Sequence, residues 1–404
     1  MNPRQALRSV VRWAPLEGDP VERRLARAAN VADLRRLARR RLPGGVFDYI
    51  DGGAEDERSL RANVEAFARV GFRPRVLAGL GPVDVGSQLL GRPLAFPLVL
   101  APTGFTRIAD PEGELAVARA AARAGLPYTL STLGTRSIED VREVSDGRLW
   151  FQVYAWRDRG LLREMIQRAA DSSYEALVLT VDTAVLGRRE RDVRRGFTLP
   201  PRIGPRTLLD GALHPAWTLG LVSAEPIRFA NVAGRSVGDG TSPVNLSDYI
   251  NSQFDPGLSW TDVEWMRSHW DKPLILKGVQ SVEDARKAVA AGVEAVVLSN
   301  HGGRQLDGAP APFDLVAPVA DAVGGRVAII CDGGVRRGSD IVKAVAAGAD
   351  ACMAGRAYLY GLAAAGERGV DRVLQWFAAD VRRTLTLLGV ASVADLDRSS
   401  LSRG

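Results

Sequence analysis

Short apolar runs ending in Gly, Ser, Thr, Asp or Asn recur along the chain, each followed by a longer stretch of helical periodicity. This is the pattern of βα units. Eight such runs are read: PLVLAPTG, PYTLST, LWFQVY, ALVLTVD, PLILKG, AVVLSN, VAIICDG and ACMAGR, ending at 101, 131, 154, 182, 277, 299, 332 and 355. Seven crossovers joining eight strands predict an α/β fold, one (β/α)8 TIM barrel over 96–390. The stretches 111–125, 281–292 and 337–348 open near a Ser, Asp or Pro and stop at Gly, as helix termini prefer. The 95-residue gap after the fourth strand holds an insertion over about 188–258. It is rich in Pro and Gly, with Trp217, Leu219, Leu221, Val222 and Phe229 scattered without strong periodicity, and is expected to act as a lid or packing segment. Residues 1–95 read as an N-terminal helical extension and 391–404 as a C-terminal tail.

Composition narrows the class. With 46% apolar and 25% charged residues over 404 positions, the chain has the balance of a soluble globular protein. It has no run approaching the roughly 18 apolar residues of a membrane helix and no signal-peptide core, so a cytoplasmic location is expected. Cys331 and Cys352 sit in apolar runs and read as buried thiols, not a disulfide framework. The net charge of +6 invites nucleic acid, yet eleven arginines face four acids in residues 1–41 and the rest of the chain is nearly balanced. No nucleic-acid partner is expected for the barrel, and the basic segment is left an anionic membrane surface as its partner.

In such barrels the active site forms at the carboxyl ends of the strands, so the polar residues there are the candidates. They are Thr103, Gly104, Ser131, Gln152, Tyr154, Thr180, Asp182, Lys277, Ser299, His301, Asp332, Gly355 and Arg356. The seventh strand runs into Asp332-Gly333-Gly334-Val335-Arg336, and the eighth into Gly355-Arg356; glycines and arginines on these two loops predict a phosphate-bearing ligand. His301, one of three histidines, lies in SNHGGRQ, where an imidazole can take a proton and Arg304 can hold a carboxylate. Asp182 could pair with it. Lys277 could stabilise an anionic cofactor state, or simply snorkel to the mouth. The run GRRER (187–191) is a solvated face or an anion clamp. His214 and His269 are given no role, and no metal site is expected.

The segments FDYIDGGAEDE (47–57), APTG, FQVY, TVDT, GRRERD, SNHGGRQLDG (299–308), DGGVRRGSD and GRAYLYGL resemble the FMN-dependent L-2-hydroxyacid dehydrogenases and oxidases. Glycolate oxidase, lactate oxidase and mandelate dehydrogenase belong to this family, and the bacterial L-lactate dehydrogenases look most similar. The resemblance implies FMN as cofactor and a small 2-hydroxy acid, foremost L-lactate, as substrate. It makes His301 the base, supported by Asp182, with flavin N5 accepting the electrons. Arg189 and Arg304 would clamp the carboxylate, and Tyr49 and Tyr154 would bond the substrate. Pro102, Thr103, Gly104, Ser131, Gln152, Thr180, Lys277 and Ser299 would hold the flavin, Asp332 its ribityl chain, and Gly333, Gly334, Arg336, Gly355 and Arg356 its phosphate. The oxidases commonly carry alanine where this chain has Gly104, which favours a dehydrogenase passing electrons to a quinone or other carrier. Leu133 leaves room for a methyl or larger side chain. The family also implies a homotetramer. The alternatives are an O2-using oxidase, a mandelate dehydrogenase and, remotely, an FMN-barrel isomerase.

Overall fold

The computed structural model describes residues 17–195, 204–232 and 252–403. All eight apolar runs form strands: β1 (Leu98–Leu100), β2 (Tyr128–Ser131), β3 (Leu149–Tyr154), β4 (Ala176–Thr180), β5 (Leu274–Val279), β6 (Ala295–Leu298), β7 (Ala328–Asp332) and β8 (Ala351–Ala354). They close into one parallel barrel, β8 pairing with β1 through Cys352 opposite Leu98 and Ala354 opposite Leu100. The three expected helices appear as Gly113–Arg123, Val282–Ala290 and Gly338–Ala347.

Side chains alternate across a strand, so one parity points to the barrel axis and the other to the helices. Val99, Trp150, Val178, Ile275, Val297, Ile330 and Met353 fill the axis as a buried cluster. Leu98, Phe151, Leu177, Leu276, Val296, Cys331 and Cys352 belong to the larger apolar layer between strands and helices. Both cysteines are therefore buried free thiols. The inward parity continues upward through Gln152, Thr180, Lys277 and Asp332, and strand register aligns these across neighbours: Gln152 lies opposite Ser131, and Thr180 opposite both Tyr154 and Lys277. A regular period of two thus carries polar residues to the mouth.

The region before the barrel is helical only through Ala68, in helices including Val31–Arg41, Gly44–Asp51 and Arg58–Ala68. Short strands follow, because Val70–Phe72 finds an antiparallel partner in Leu401–Arg403 at the far end of the chain. That pairing is non-local, and local pattern does not announce it. The insertion, read as aperiodic, forms three short helices in its described parts: Glu190–Arg195, Pro205–Leu213 and Pro215–Ser223. Pro205 and Pro215 occupy first-turn positions where a missing N–H does no harm. The remainder of the insertion, 196–203 and 233–251, lies outside the described residues, as do 1–16. Arg107 donates to the Glu225 carbonyl at 2.6 Å, Trp217 Nε1 to the Ile108 carbonyl at 2.8 Å, and the Ala230 N–H to the Gly134 carbonyl at 3.1 Å. The insertion is thereby fastened across the βα loops of β1 and β2, as a packing segment at the mouth. Among the described residues no helix is long and apolar enough to cross a membrane.

Candidate active site

A cavity of about 800 Å³ opens at the carboxyl ends of the strands, and every residue singled out there lines it or stands directly behind its wall. Asp182 lies just past the end of β4, and His301 just past β6. His301 Nδ1 and Asp182 Oδ1 are 2.9 Å apart. The Asp182 side chain is almost wholly buried, at 1% exposure, whereas the imidazole keeps 27%. Burial pushes the Asp182 carboxyl up, but His301 and then Lys277 outweigh it and hold it below its ordinary value. A carboxylate at that distance fixes the proton on Nδ1, which leaves the Nε2 lone pair for the cavity. His301 adopts φ +58°, a left-handed conformation uncommon for a non-glycine residue. Its N–H donates to Ser299 Oγ at 3.0 Å, which helps hold that turn. Gly278 at φ +106° makes room for the acid: a Cβ there would meet Asp182 Cβ at 2.7 Å.

Positive charge gathers on the facing wall. Arg304 and Arg189 hold their guanidiniums 5.2 and 5.6 Å from the centre of the Tyr49 ring. Arg189 also pairs with Asp192 at 2.7 Å. Arg304 donates to the Tyr49 and Gly52 carbonyls, at 2.7 and 3.0 Å, and among the described residues no carboxylate pairs with it. Burial, and then the charges of Arg189 and Arg356, pull its pKa down to about 9. A partly buried cation without a counter-ion is costly, and an anion beside it removes that cost. Tyr154 stands on the same cavity, its phenol kept neutral by burial. Tyr49 is carried by the Gly44–Asp51 helix, whose last residue takes Arg35, Arg191 and the Tyr360 hydroxyl on one buried carboxylate.

The floor is a separate network. Ser299 Oγ donates to Asp332 Oδ2 at 2.7 Å and accepts from Lys277 Nζ at 3.2 Å. Lys277 and Asp332 form a buried ion pair at 3.2 Å. Gln152 takes the Ser131 hydroxyl at 3.1 Å on its oxygen and donates to Thr180 at 3.0 Å. Pro102, Thr103 and Gly104 border the same space; Thr103 Oγ1 lies 2.8 Å from the Tyr358 hydroxyl, and a Cβ on Gly104 would press Leu133 Cβ at 3.1 Å.

Beyond the floor the cavity reaches the loops after β7 and β8. Gly333 and Gly334 sit at φ +113° and +84°, and a Cβ on Gly334 would come within 2.0 Å of the Asn63 carbonyl, so only glycine fits. Arg336 and Arg356 border this end along with Gly355, and among the described residues neither arginine has a carboxylate partner. Arg356 uses three guanidinium hydrogen bonds to hold the Ile50, Gly302 and Gly52 carbonyls, at 3.0, 2.8 and 2.7 Å. Its guanidinium is thus largely engaged in joining the Tyr49 helix to the His301 loop.

The donor set fits FMN: a floor of Lys277, Gln152 and Ser131 for a polar ring edge, Asp332 for hydroxyls, and a glycine-lined cationic end for a phosphate. Several cavity residues carried no local signal. Phe229 and Phe254 come from the insertion; Phe229 lies tilted against Phe105 at 5.7 Å, and Phe254 lies edge-on to Tyr154 at 5.2 Å. Phe105 at φ +61° and Leu186 complete this apolar wall. Only the tertiary fold brings these residues together. His214 bonds Asp210, and His269 stacks on Trp265 at 4.2 Å; neither borders the cavity.

Comparison with known proteins agrees. The family model described as FMN-dependent dehydrogenase matches residues 38–403. An L-lactate dehydrogenase of Chromohalobacter salexigens is 44% identical, over 92% of this chain and 95% of its own. One from Pseudomonas aeruginosa is 42% identical, over 92% and 97%. The crystal structure of the monotopic membrane protein (S)-mandelate dehydrogenase superposes with a TM-score of 0.89 at 41% identity, covering 93% of this chain and 99% of that one. A mandelate oxidase gives 0.79 at 40% identity, with coverage of 93% and 99%.

Proposed function

From the chain's membership of the FMN-dependent dehydrogenase family, which makes it an FMN-dependent oxidoreductase of 2-hydroxy acids, we propose the roles of its residues and its preferred substrate, L-lactate. The observation that carries the reading is the Asp182-oriented imidazole facing, across one cavity, a partly buried Arg304 without a carboxylate partner. When bound, FMN would take up the two electrons and the second hydrogen that leave the substrate as its C–OH becomes a carbonyl.

The chain's own residues do the rest. Arg304 and Arg189 hold the carboxylate, Arg304 gaining the counter-ion that no carboxylate of the described residues supplies. Tyr49 and Tyr154 orient the carboxylate and hydroxyl. His301 Nε2 takes a proton from the substrate, and Asp182, kept ionised, stabilises the imidazolium that results. Lys277 places positive charge beside the floor, where negative charge grows as electrons arrive. Ser131, Gln152, Thr180, Ser299, Pro102, Thr103 and Gly104 border the ring, Asp332 the ribityl chain, and Gly333, Gly334, Arg336, Gly355 and Arg356 the phosphate.

Gly104 and the similarity to dehydrogenases support a quinone or other carrier as acceptor over O2. Phe105, Phe229 and Phe254 favour a second reading, (S)-mandelate, since that wall offers an aromatic side chain more contact than a methyl uses. Exposed Leu208, Leu209, Leu213, Leu219 and Val222 on the insertion helices support a peripheral contact at the cytoplasmic face of a membrane. A homotetramer completes the proposal. Initial rates with L-lactate and L-mandelate test the substrate; preference for L-mandelate would replace lactate. Reoxidation of the reduced protein by air and by a quinone analogue tests the acceptor, and faster reoxidation by air would make the protein an oxidase.

A further inference from the structure

A second cavity, of about 330 Å³, lies outside the barrel where the Pro20–Leu25 and Val31–Arg41 helices meet. Arg23, Arg24, Arg27, Arg36 and Arg40 line it against one carboxylate, Asp33. Asp33 pairs with Arg36 through one oxygen and accepts the Ala29 N–H at 2.8 Å on the other. Arg24 donates to the Ala364 carbonyl at 2.7 Å, and burial together with the charges of Arg41 and Arg368 lowers its pKa. Among the described residues no carboxylate pairs with the exposed guanidiniums of Arg23, Arg27 or Arg40. The nearby acids are already engaged: Asp19 pairs with Arg368, and Glu22 with Arg368 and Arg372. Residues 1–16 hold no Asp or Glu that could supply the missing charge.

Basic residues in the last turn of a helix complement its dipole, which accounts for Arg23 and Arg24 on one helix and Arg39–Arg41 on the other. It does not account for Arg27 and Arg36, nor for the two sets converging from two segments on one concavity. Forked guanidiniums around a space of headgroup size suit the tetrahedral oxygens of a phosphate. We propose that this cavity binds a phosphate group, presented by a small phosphorylated molecule or by a phospholipid headgroup. The proposal does not depend on the reaction assigned to the barrel, which none of these five arginines touches.

The test uses the FMN-loaded protein, its Arg23→Gln/Arg27→Gln/Arg40→Gln variant, and a control, Arg73→Gln/Arg163→Gln/Arg286→Gln, that removes equal charge at exposed sites elsewhere. One arm is calorimetric titration with sodium pyrophosphate at low ionic strength. The other is sedimentation with vesicles of phosphatidylcholine containing phosphatidylglycerol, against phosphatidylcholine alone. Saturable binding weakened about tenfold or more in the cavity variant, and little changed in the control, is expected in at least one arm. A response to pyrophosphate identifies a free phosphate ligand, and one to vesicles alone identifies the headgroup. Absence of saturable binding in both arms, or equal weakening by the control, overturns the proposal. FMN content and turnover unchanged in both variants show that each loss is local.

Discussion

Lower and upper positions of the same strands, on the same inward parity, serve different ends. On β4 the pair is Val178 and Thr180, on β5 Ile275 and Lys277, on β7 Ile330 and Asp332. The lower members are fully buried in an apolar cluster. Of the upper members, Lys277 and Asp332 pair with each other, Thr180 accepts from Gln152, and all three border the cavity. Two residues of rise, about 6.6 Å of strand, separate packing from chemistry. Orientation comes from the period of two, while the level along the barrel axis decides what a side chain is for.

Substitutions at the two levels should therefore separate turnover from stability. His301→Ala at the mouth should lower turnover by about 10³ to 10⁴ while FMN content and melting temperature stay near wild type. Near-normal turnover would refute its role as base. Ile330→Ala below should do the reverse, costing roughly 2–5 kcal/mol in denaturant unfolding with turnover per folded molecule preserved. Large kinetic damage from it would erase the distinction between the levels. Arg304→Lys keeps the charge but loses the planar fork, and should raise KM for the 2-hydroxy acid about tenfold with a smaller change in kcat.

Asp51 gives the most specific effect. Burial raises its carboxyl, but Arg35, Tyr360 and Arg191 hold it down at about 2. Its folded value is thus below the unfolded value of about 3.9, so its stabilisation is present above pH ~4 and lost as pH falls towards 2. Asp51→Asn should cost about 2 kcal/mol at neutral pH, and the gap from wild type should close below pH 4. A gap that does not shrink in acid would show that packing, not charge, is what the residue provides.

The barrel was readable because each strand is a local apolar run with a polar end, and that end is the site. His301, Lys277 and Asp332 could be placed at the mouth without knowing any contact. Phe229 and Phe254 could not, since they reach the cavity only through an insertion fastened by Arg107 and Trp217. Nor could the engagement of Arg356 with the Ile50, Gly52 and Gly302 carbonyls, which joins a helix end and a loop some 250 residues apart in sequence. Local pattern carries orientation and cap chemistry; it does not carry which distant loop a guanidinium will hold.

The decisive measurement is an anaerobic visible-spectrum titration of the FMN-loaded protein with L-lactate and L-mandelate. Flavin absorbance should bleach with an L-2-hydroxy acid in the wild type and survive the same treatment in His301→Ala. A wild-type spectrum unchanged at saturating concentrations of both acids would contradict oxidation of a 2-hydroxy acid in this cavity.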